Sequence, residues 1–205
     1  NSMIHICSSS EVFGKVEEKD LPITEENNFQ PASPYAISKC SADLIGRFYA
    51  EAYQLRVLTT RMFTHTGPRR GDVFMESTFA KQIALCEKGK LKYLKHGNLK
   101  SVRTFVDIED AMSAYWLAAV KGKTGEIYNI GGNKTVSVKQ FLNELLKNSK
   151  KKINLRLDKN LLRPQDVDVQ IPSSKKFTKA TGWKPKILFK DSVRKLLNEC
   201  RELYN

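Results

Sequence analysis

Short apolar runs alternate along this chain with longer stretches in which apolar residues recur every three or four positions. Residues 3–7 and 57–63 are short apolar or β-branched runs, a pattern typical of strands buried in a parallel sheet. Residues 34–53 carry apolar side chains at helical spacing, and Ser33-Pro34 supplies an N-cap serine followed by a proline suited to the first turn. This part of the chain therefore predicts a strand, a helix and a second strand.

The same alternation continues to the end of the chain. The pattern predicts strands at residues 91–94, 103–106, 125–130 and 153–157. It predicts helices at 74–88, from 107 or 108 to Gly122, after Ser137, and at 174–181 and 191–204. Strands that alternate with helices favour an α/β fold with a parallel sheet. Trp116 and Trp183 are expected in the core.

Composition narrows the choice of partners. The 205 residues carry a net charge of +13, but the lysines are dispersed, and the densest run, 147–152, has no aromatic residues between its charges. This run predicts a solvated basic surface rather than a nucleic-acid site. No apolar run reaches the length of a membrane span. We therefore expect no nucleic-acid or membrane partner and a cytoplasmic location.

Cysteine and histidine spacing points away from a metal site. The four cysteines are far apart and form no C-x-x-C pair, and the three histidines are scattered. We expect free thiols of a reducing compartment and no bound metal.

The most specific chemistry lies at the start of the first predicted helix. Tyr35 and Lys39 are four residues apart, so a phenol and an ammonium would share one helix face. A nearby cation favours the phenolate, and Ser9 at the end of the first strand would add a hydroxyl. This is a proton-transfer site suited to a sugar or alcohol hydroxyl.

The sequence pattern that binds a dinucleotide cofactor does not occur in this chain. No strand, glycine-rich turn and helix follow one another, and Gly131-Gly132 follows a predicted strand without a third spaced glycine. The dinucleotide fingerprint is therefore absent from these residues.

Several segments resemble one family, the extended short-chain dehydrogenase/reductases that act on nucleotide sugars (the NAD-dependent epimerase/dehydratase family). They are SSSEVFG at 8–14 and SPYAISK at 33–39. The loop FTHTGPRRG at 63–71 and the segments at 97–99 and 101–103 resemble the GDP-mannose 4,6-dehydratases and their reductase relatives. The segments at 163–167, 174–175 and 181–185 resemble the family's C-terminal substrate lobe. These segments cover nearly the whole chain in order.

The resemblance implies a fold and a division into domains. The expected fold is α/β, the C-terminal part of a doubly wound (Rossmann-like) parallel sheet plus a small α/β substrate-binding lobe. Residues 1–66, rejoined by 104–131, would be the remainder of the dinucleotide-binding domain. Residues 67–103 and 132–205 would form the nucleotide-sugar-binding lobe. The N-terminal part of the nucleotide-binding domain would be missing, so the chain alone is expected to be inactive.

The resemblance also implies roles for four catalytic residues. Tyr35 would take the proton of the sugar 4-hydroxyl while hydride passes to NADP, with NAD as the alternative cofactor. Lys39 would bind the nicotinamide ribose, and Ser9 would hydrogen-bond the 4-oxygen. Glu11 would act at C5 during loss of water.

Binding residues are implied in the same way. The expected cofactor ligands are Tyr35, Lys39, His65 and Arg70, and the expected substrate ligands are Ser10, Thr64, Arg69, Arg103 and Arg163. The arginine pair favours the GDP-mannose branch, in which such a loop helps to bind cofactor across subunits. A GDP-sugar substrate and a homo-oligomer, dimeric or tetrameric, are therefore expected for the full-length protein.

Three functions stay open at this point. The first is NADP-dependent dehydration of GDP-mannose to GDP-4-keto-6-deoxymannose. The second is reduction of such a 4-keto sugar, or epimerisation or decarboxylation by the same fold, since Glu11 also occurs in related decarboxylases. The third is a truncated, non-catalytic fragment that binds nucleotide sugars. Thr64 replaces an asparagine that commonly contacts substrate in relatives, which affects specificity in any of the enzymatic cases.

Overall fold

A computed structural model describes residues 2–162 and 167–204 of the protein. Its helices are α1 (Pro34–Tyr53), α2 (Met75–Glu87), α3 (Ile108–Lys121), α4 (Val138–Lys147), α5 (Lys175–Thr181) and α6 (Phe189–Leu203). Its strands are β1 (Ile4–Ser9), β2 (Val57–Met62), β3 (His65–Thr66), β4 (Leu94–His96), β5 (Val102–Asp107), β6 (Ile127–Ile130), β7 (Lys134–Ser137), β8 (Leu155–Leu157) and β9 (Val169–Gln170). Short 3₁₀ helices lie at Ser10–Phe13, Glu18–Asp20 and Lys159–Leu161.

The main sheet has three parallel strands in the order β1-β2-β6. Alternate residues of a strand face opposite sides, so β2 separates two layers. Leu58 and Met62 pack with the alanines of α3, while Arg61 faces α1. All three strands end at one edge, because Ser9 is level with Met62 and Met62 with Ile130.

The second half of the fold is built around β5. This strand pairs in parallel with β3 and β9 and antiparallel with β7, while β4 and β8 form a separate two-stranded parallel sheet. Helices α2, α4 and α6 share one apolar core that includes Phe79, Ile83, Phe141, Leu145 and Leu196. The predicted α/β fold with parallel strands is confirmed.

Most predicted elements lie where the pattern placed them. Helix α1 has the predicted bounds, and the Ser33 hydroxyl accepts the Ala36 N–H at 3.1 Å. The strand predicted at 91–94 begins only at Leu94, because the backbone ladder starts where the Leu94 N–H bonds to the Asn154 carbonyl. Strands β3, β7 and β9 were not predicted, since they are short and lack an apolar pattern.

The prediction that Trp116 lies in the core is wrong. Its side chain is 69% exposed, whereas Trp183 is buried as predicted. On α3 the small residues Ala111, Ala114 and Ala118 face the sheet, and Trp116 lies with Met112 and Val120 on the exposed side. Helix α1 also approaches the sheet through a small residue, because a Cβ on Gly46 would lie 2.8 Å from Cγ1 of Ile6. Small residues thus let both helices approach the sheet closely and leave several bulky apolar side chains exposed.

The described residues contain neither a membrane-spanning helix nor a metal-binding cluster. None of the helices there combines the length and the apolar character that a membrane crossing requires. In the same residues, no cluster of three or more histidine, cysteine, aspartate or glutamate side chains is arranged to hold a metal ion.

Candidate active site

Ser9 closes strand β1 and starts the turn that carries Glu11. Its hydroxyl oxygen accepts the Glu11 N–H at 3.2 Å and caps the 3₁₀ helix Ser10–Phe13. The hydroxyl hydrogen stays available for donation, since a serine has one donor and two acceptor sites. Val12 and Phe13 are fully buried beneath this turn, so Glu11, half-buried, is fixed at the carboxyl edge of the sheet.

The turn is locked from outside by a close backbone approach. Gly14 has a φ of +54°, and a Cβ there would lie 1.7 Å from the Gln30 carbonyl oxygen. The Gln30 N–H in turn bonds to the Val12 carbonyl at 2.9 Å. The returning segment therefore needs glycine at position 14.

Tyr35 and Lys39 meet the same sheet edge from α1. The Lys39 ammonium donates to the Cys7 carbonyl at 2.9 Å and lies 5.7 Å from the centre of the Tyr35 ring. Tyr35 is 54% exposed, so its phenol faces open space at the start of the helix. An ammonium has three donors, and two remain on Lys39 for a ligand. The structure thus brings the predicted tyrosine and lysine to the strand end that carries the predicted serine.

Arg70 lies in the two-arginine loop, residues 67–74, and is contacted on three sides. The guanidinium carbon lies 3.6 Å from the centre of the Phe74 ring, Nη1 is 3.2 Å from Nε2 of His65, and Nη2 is 3.7 Å from Oε1 of Glu76. Burial lowers the pKa of Arg70 from its ordinary value, whereas the charges of Glu76 and Tyr35 oppose this shift. Arg70 is therefore a pre-positioned cation close enough to Tyr35 to interact with it electrostatically.

His65 accepts a hydrogen bond from Arg70 in this arrangement. Burial and the Arg70 charge both lower the pKa of His65, against a smaller effect of the Phe63 carbonyl. A guanidinium can only donate, so Nε2 of His65 accepts from Arg70. The ring hydrogen then lies on Nδ1, which faces the Phe63 carbonyl at 3.4 Å.

Glu76 is a candidate that sequence reasoning missed. It lies in the first turn of α2 and is only 3% exposed, with Arg70 at 3.7 Å. Burial raises the pKa of Glu76, and the charges of Arg70 and Arg103 oppose that shift. The available signal was an acidic residue at a helix start six positions after an arginine pair. The structure adds that this carboxylate interacts with two arginines predicted as ligands.

The residues predicted to bind substrate lie in different surroundings. Ser10 is buried, and its hydroxyl donates to Oε1 of Gln170 at 3.3 Å, while Nε2 of Gln170 donates to the Ser10 carbonyl at 3.2 Å. This pair joins the turn that carries Glu11 to β9. Arg103 lies on β5 opposite Gln170 and donates to the Val102 carbonyl at 3.0 Å.

Three further predicted residues complete the set. Thr64 is half-buried between β2 and β3, and its carbonyl accepts the Val106 N–H at 3.1 Å. Arg69 is exposed, with its backbone N–H bonded to Glu199. Arg163 lies outside the described residues. The substrate and cofactor roles of all these residues stay predictions.

The serine lies at the end of a strand of the parallel sheet, and the tyrosine and the lysine lie on the following helix. Short-chain dehydrogenase/reductases share this arrangement on a doubly wound sheet. The sequence model described as GDP-mannose 4,6 dehydratase matches residues 1–196, and the chain belongs to this family.

Similar proteins support that assignment. The chain is 31% identical to the GDP-6-deoxy-D-mannose reductase of Pseudomonas aeruginosa over 193 residues, covering 94% of this chain and 64% of that one. It is 32% identical to GDP-mannose 4,6 dehydratase 1 of Arabidopsis thaliana, covering 96% and 54%. It is also 32% identical to the human dTDP-D-glucose 4,6-dehydratase, covering 97% and 56%. The chain thus spans 54–64% of the length of these relatives.

Solved structures show the same fold. RMD from Pseudomonas aeruginosa, complexed with NADPH, superposes with a TM-score of 0.92 at 30% identity, covering 98% of this chain and 67% of that one. The dTDP-glucose 4,6-dehydratase of Bacillus anthracis, complexed with NAD, gives a TM-score of 0.83 at 27% identity, covering 98% and 62%. The predicted resemblance and the Rossmann-like fold class are confirmed.

Proposed function

We propose that the protein to which this chain belongs is an NADP-dependent nucleotide-sugar 4,6-dehydratase, a lyase that converts GDP-mannose to GDP-4-keto-6-deoxymannose. The family is one of nucleotide-sugar dehydratases and reductases. The observation that carries the finer proposal is the position of Glu11, two residues beyond Ser9 on a turn fixed by Gly14 and buried Phe13.

The residues at the sheet edge fit a nicotinamide cofactor. Lys39 keeps two N–H donors for ribose hydroxyls, and the Ser8 hydroxyl is buried without a partner at the same strand end. Tyr35 and Lys39 would hold the nicotinamide ribose, and His65 and Arg70 would lie along the site. NADP, when bound, supplies the hydride chemistry. A glycine-rich turn for its pyrophosphate would have to come from residues outside this chain.

The proton chemistry falls to this chain. Tyr35, next to the Lys39 ammonium, takes the proton of the sugar 4-hydroxyl. Ser9 donates its free hydroxyl hydrogen to the 4-oxygen and orients it. Glu11 takes the C5 proton, which a 4-keto group acidifies, and protonates the departing 6-hydroxyl, so that water leaves and a C5–C6 double bond forms. Saturating that double bond would need the hydride taken from C4 to return at C6 through the chemistry that NADP supplies, and a proton to return at C5. Arg69 and Arg103 would pair with the diphosphate, because guanidinium groups bind phosphate oxygens bidentately.

A reductase of a GDP-4-keto-6-deoxy sugar is the second candidate. It is favoured by the 31% identity to the GDP-6-deoxy-D-mannose reductase of Pseudomonas aeruginosa. A reductase needs Tyr35 as the proton donor but does not need a base at C5. The dehydratase and the reductase therefore differ in what they demand of Glu11.

The experiment uses a full-length protein that contains this chain, with GDP-mannose and NADP. Tyr35→Phe should abolish turnover and preserve GDP binding, whereas Tyr53→Phe, an exposed tyrosine at the far end of α1, should change neither. Glu11→Gln should stop release of water but still allow cofactor reduction. Unchanged dehydration by Glu11→Gln would reject Glu11 as the base at C5. No dehydration by the unmodified protein, together with full-rate reduction of the 4-keto sugar by NADPH in Glu11→Gln, would reject the dehydratase and support the reductase.

Ligand binding by the chain alone would distinguish part of an enzyme from a fragment that only binds nucleotide sugars. Thermal-shift titration with GDP and with NADP(H) measures each ligand separately. Stabilisation by GDP alone would support a nucleotide-sugar-binding lobe without its own redox chemistry. Stabilisation by both ligands would show that these residues suffice for the cofactor.

A further inference from the structure

The two-arginine loop is tied to the last helix of the chain. The backbone N–H of Arg69 donates to the Glu199 carboxylate at 2.5 Å, although the two residues are 130 positions apart. The hydroxyl of Tyr204 donates to Oδ2 of Asp72 at 2.8 Å. Both bonds connect α6 and the residue after it to the loop that separates β3 from α2.

The first bond acts on an unusual backbone conformation. Arg69 has a φ of +62°, in the left-handed region that residues other than glycine avoid. A hydrogen bond from its N–H to a charged acceptor is stronger than one to a neutral acceptor. Glu199 therefore stabilises the conformation in which Arg69 is exposed while the adjacent Arg70 is packed inward on Phe74.

The second bond joins three elements at one carboxylate. Asp72 accepts from Lys81 of α2 at 2.6 Å as well as from Tyr204, and the Lys81 ammonium lies 4.6 Å from the centre of the Tyr204 ring. Hydrogen bonds from Lys81 and Tyr204 lower the pKa of Asp72. The far end of the loop is thus fixed to α2 and to the end of α6 together.

Packing of α6 does not require these bonds. Val193, Leu196 and Leu197 are buried in the core shared with α2 and α4. Arg201 also forms a two-point ion pair with Glu87 of α2, at 2.7 and 2.8 Å. The hydrogen bonds from Glu199 and Tyr204 are additional, and both end on the two-arginine loop.

We propose that Glu199 and Tyr204 are positioning residues, through which α6 holds the two-arginine loop in the geometry that presents Arg69 to the diphosphate of a nucleotide. The identity of that ligand rests on the proposed function. The mechanical part rests only on the contacts between α6 and the loop.

A double-mutant cycle tests the link to Arg69. With Arg69 present, Glu199→Ala should weaken GDP binding by the chain about five- to tenfold, as measured by calorimetry. Glu199→Gln should be intermediate, because an amide oxygen still accepts a hydrogen bond. In an Arg69→Ala background, Glu199→Ala should have no further effect on affinity. Tyr204→Phe removes a single hydroxyl and should weaken GDP binding less than Glu199→Ala does.

Glu87→Gln is the matched control, since it weakens the α2–α6 ion pair without touching the loop. It should lower thermal stability and leave GDP affinity unchanged. Equal losses of affinity in Glu87→Gln and Glu199→Ala would overturn the proposal, as would an undiminished effect of Glu199→Ala in the Arg69→Ala background.

Amide hydrogen exchange separates this proposal from the proposed function. Without ligand, residues 69–74 should exchange faster in Glu199→Ala than in Glu87→Gln. Unchanged exchange overturns the proposal whatever GDP does. Faster exchange in a chain that binds neither GDP nor inorganic pyrophosphate would refute the diphosphate ligand and so overturn the proposal, whereas the proposed function is decided by turnover of the full-length protein.

Discussion

Arg61 of β2 and Asp43 of α1 form a two-point ion pair, with N–O distances of 2.8 and 3.1 Å, in a site where their side chains are 1% and 0% exposed. The guanidinium carbon lies 5.3 Å from the Phe13 ring centre and 4.7 Å from that of Phe29. Nη1 also donates to the Glu25 carbonyl at 2.9 Å. This pair connects the main sheet, helix α1 and the segment that returns beside the turn at Ser10–Phe13.

Breaking this pair from one side should be costly. Asp43→Ala leaves a guanidinium buried without its counter-charge, so we expect a loss of about 3–5 kcal/mol in the free energy of unfolding. Urea unfolding measures it. The exposed pair of Lys147 and Glu144 is the control, and Lys147→Gln should cost no more than about 1 kcal/mol. A cost below that of the control would show that the buried pair does not contribute to stability.

The close approach at Gly14 predicts a second effect on stability. Gly14→Ala must relieve a 1.7 Å contact with the Gln30 carbonyl and adopt a φ of +54°, so we expect a loss of about 2 kcal/mol or more. Gly89→Ala shares a positive φ, at +75°, but has open space around its Cβ. It should lose only about 1 kcal/mol. Equal losses in thermal unfolding would mean that the contact with Gln30 is relieved without cost.

Glu76 predicts a pH dependence with a defined sign. Its pKa is raised in the folded chain by burial, so folding favours the protonated form. Its contribution to stability is full below the ordinary carboxyl pKa and is lost as pH rises through the raised folded-state pKa. Glu76→Gln lacks this loss. The stability of the variant relative to the unmodified chain should therefore increase from about pH 4 to neutral pH.

Urea unfolding at a series of pH values tests this sign. The groups that influence Glu76 or its partner, Arg70, Arg103 and His65, are present in both proteins, so the difference isolates the carboxyl group. Glu51→Gln makes the same change of a carboxylate to an amide at an exposed site on α1 and is the control. A Glu76→Gln difference that changes with pH no more than the Glu51→Gln difference would contradict the prediction.

Local signals made much of this fold predictable. The N-cap at Ser33 and the capping box of Ser137 with Gln140 are read from neighbouring residues, and α1 and α4 begin where those residues indicate. Tyr35 and Lys39 were likewise predictable as neighbours, because helical spacing alone brings them to one face. The parallel sheet followed from short apolar runs between helices.

The rest depends on contacts between distant residues. The sequence around Arg61 predicts a buried apolar strand. The carboxylate that pairs with Arg61 is Asp43, which lies 18 positions earlier on α1. The partners of Glu76 come from a loop and from β5, so the sequence showed only an ordinary acidic residue at a helix start. Helical periodicity predicts a helix but not which face meets the sheet. On α3 that face was taken by alanines rather than by Trp116.

The different surroundings of the two tryptophans give this protein an internal optical reporter. The Trp183 indole is buried, and its N–H is bonded to Ser113 and to the Asp110 carbonyl, whereas the Trp116 indole stands in solvent on the outer face of α3. Quenching by iodide should therefore act on one indole and spare the other. Any surface that covers α3 will shift the Trp116 emission to shorter wavelengths, so assembly at that face can be followed by fluorescence without a label.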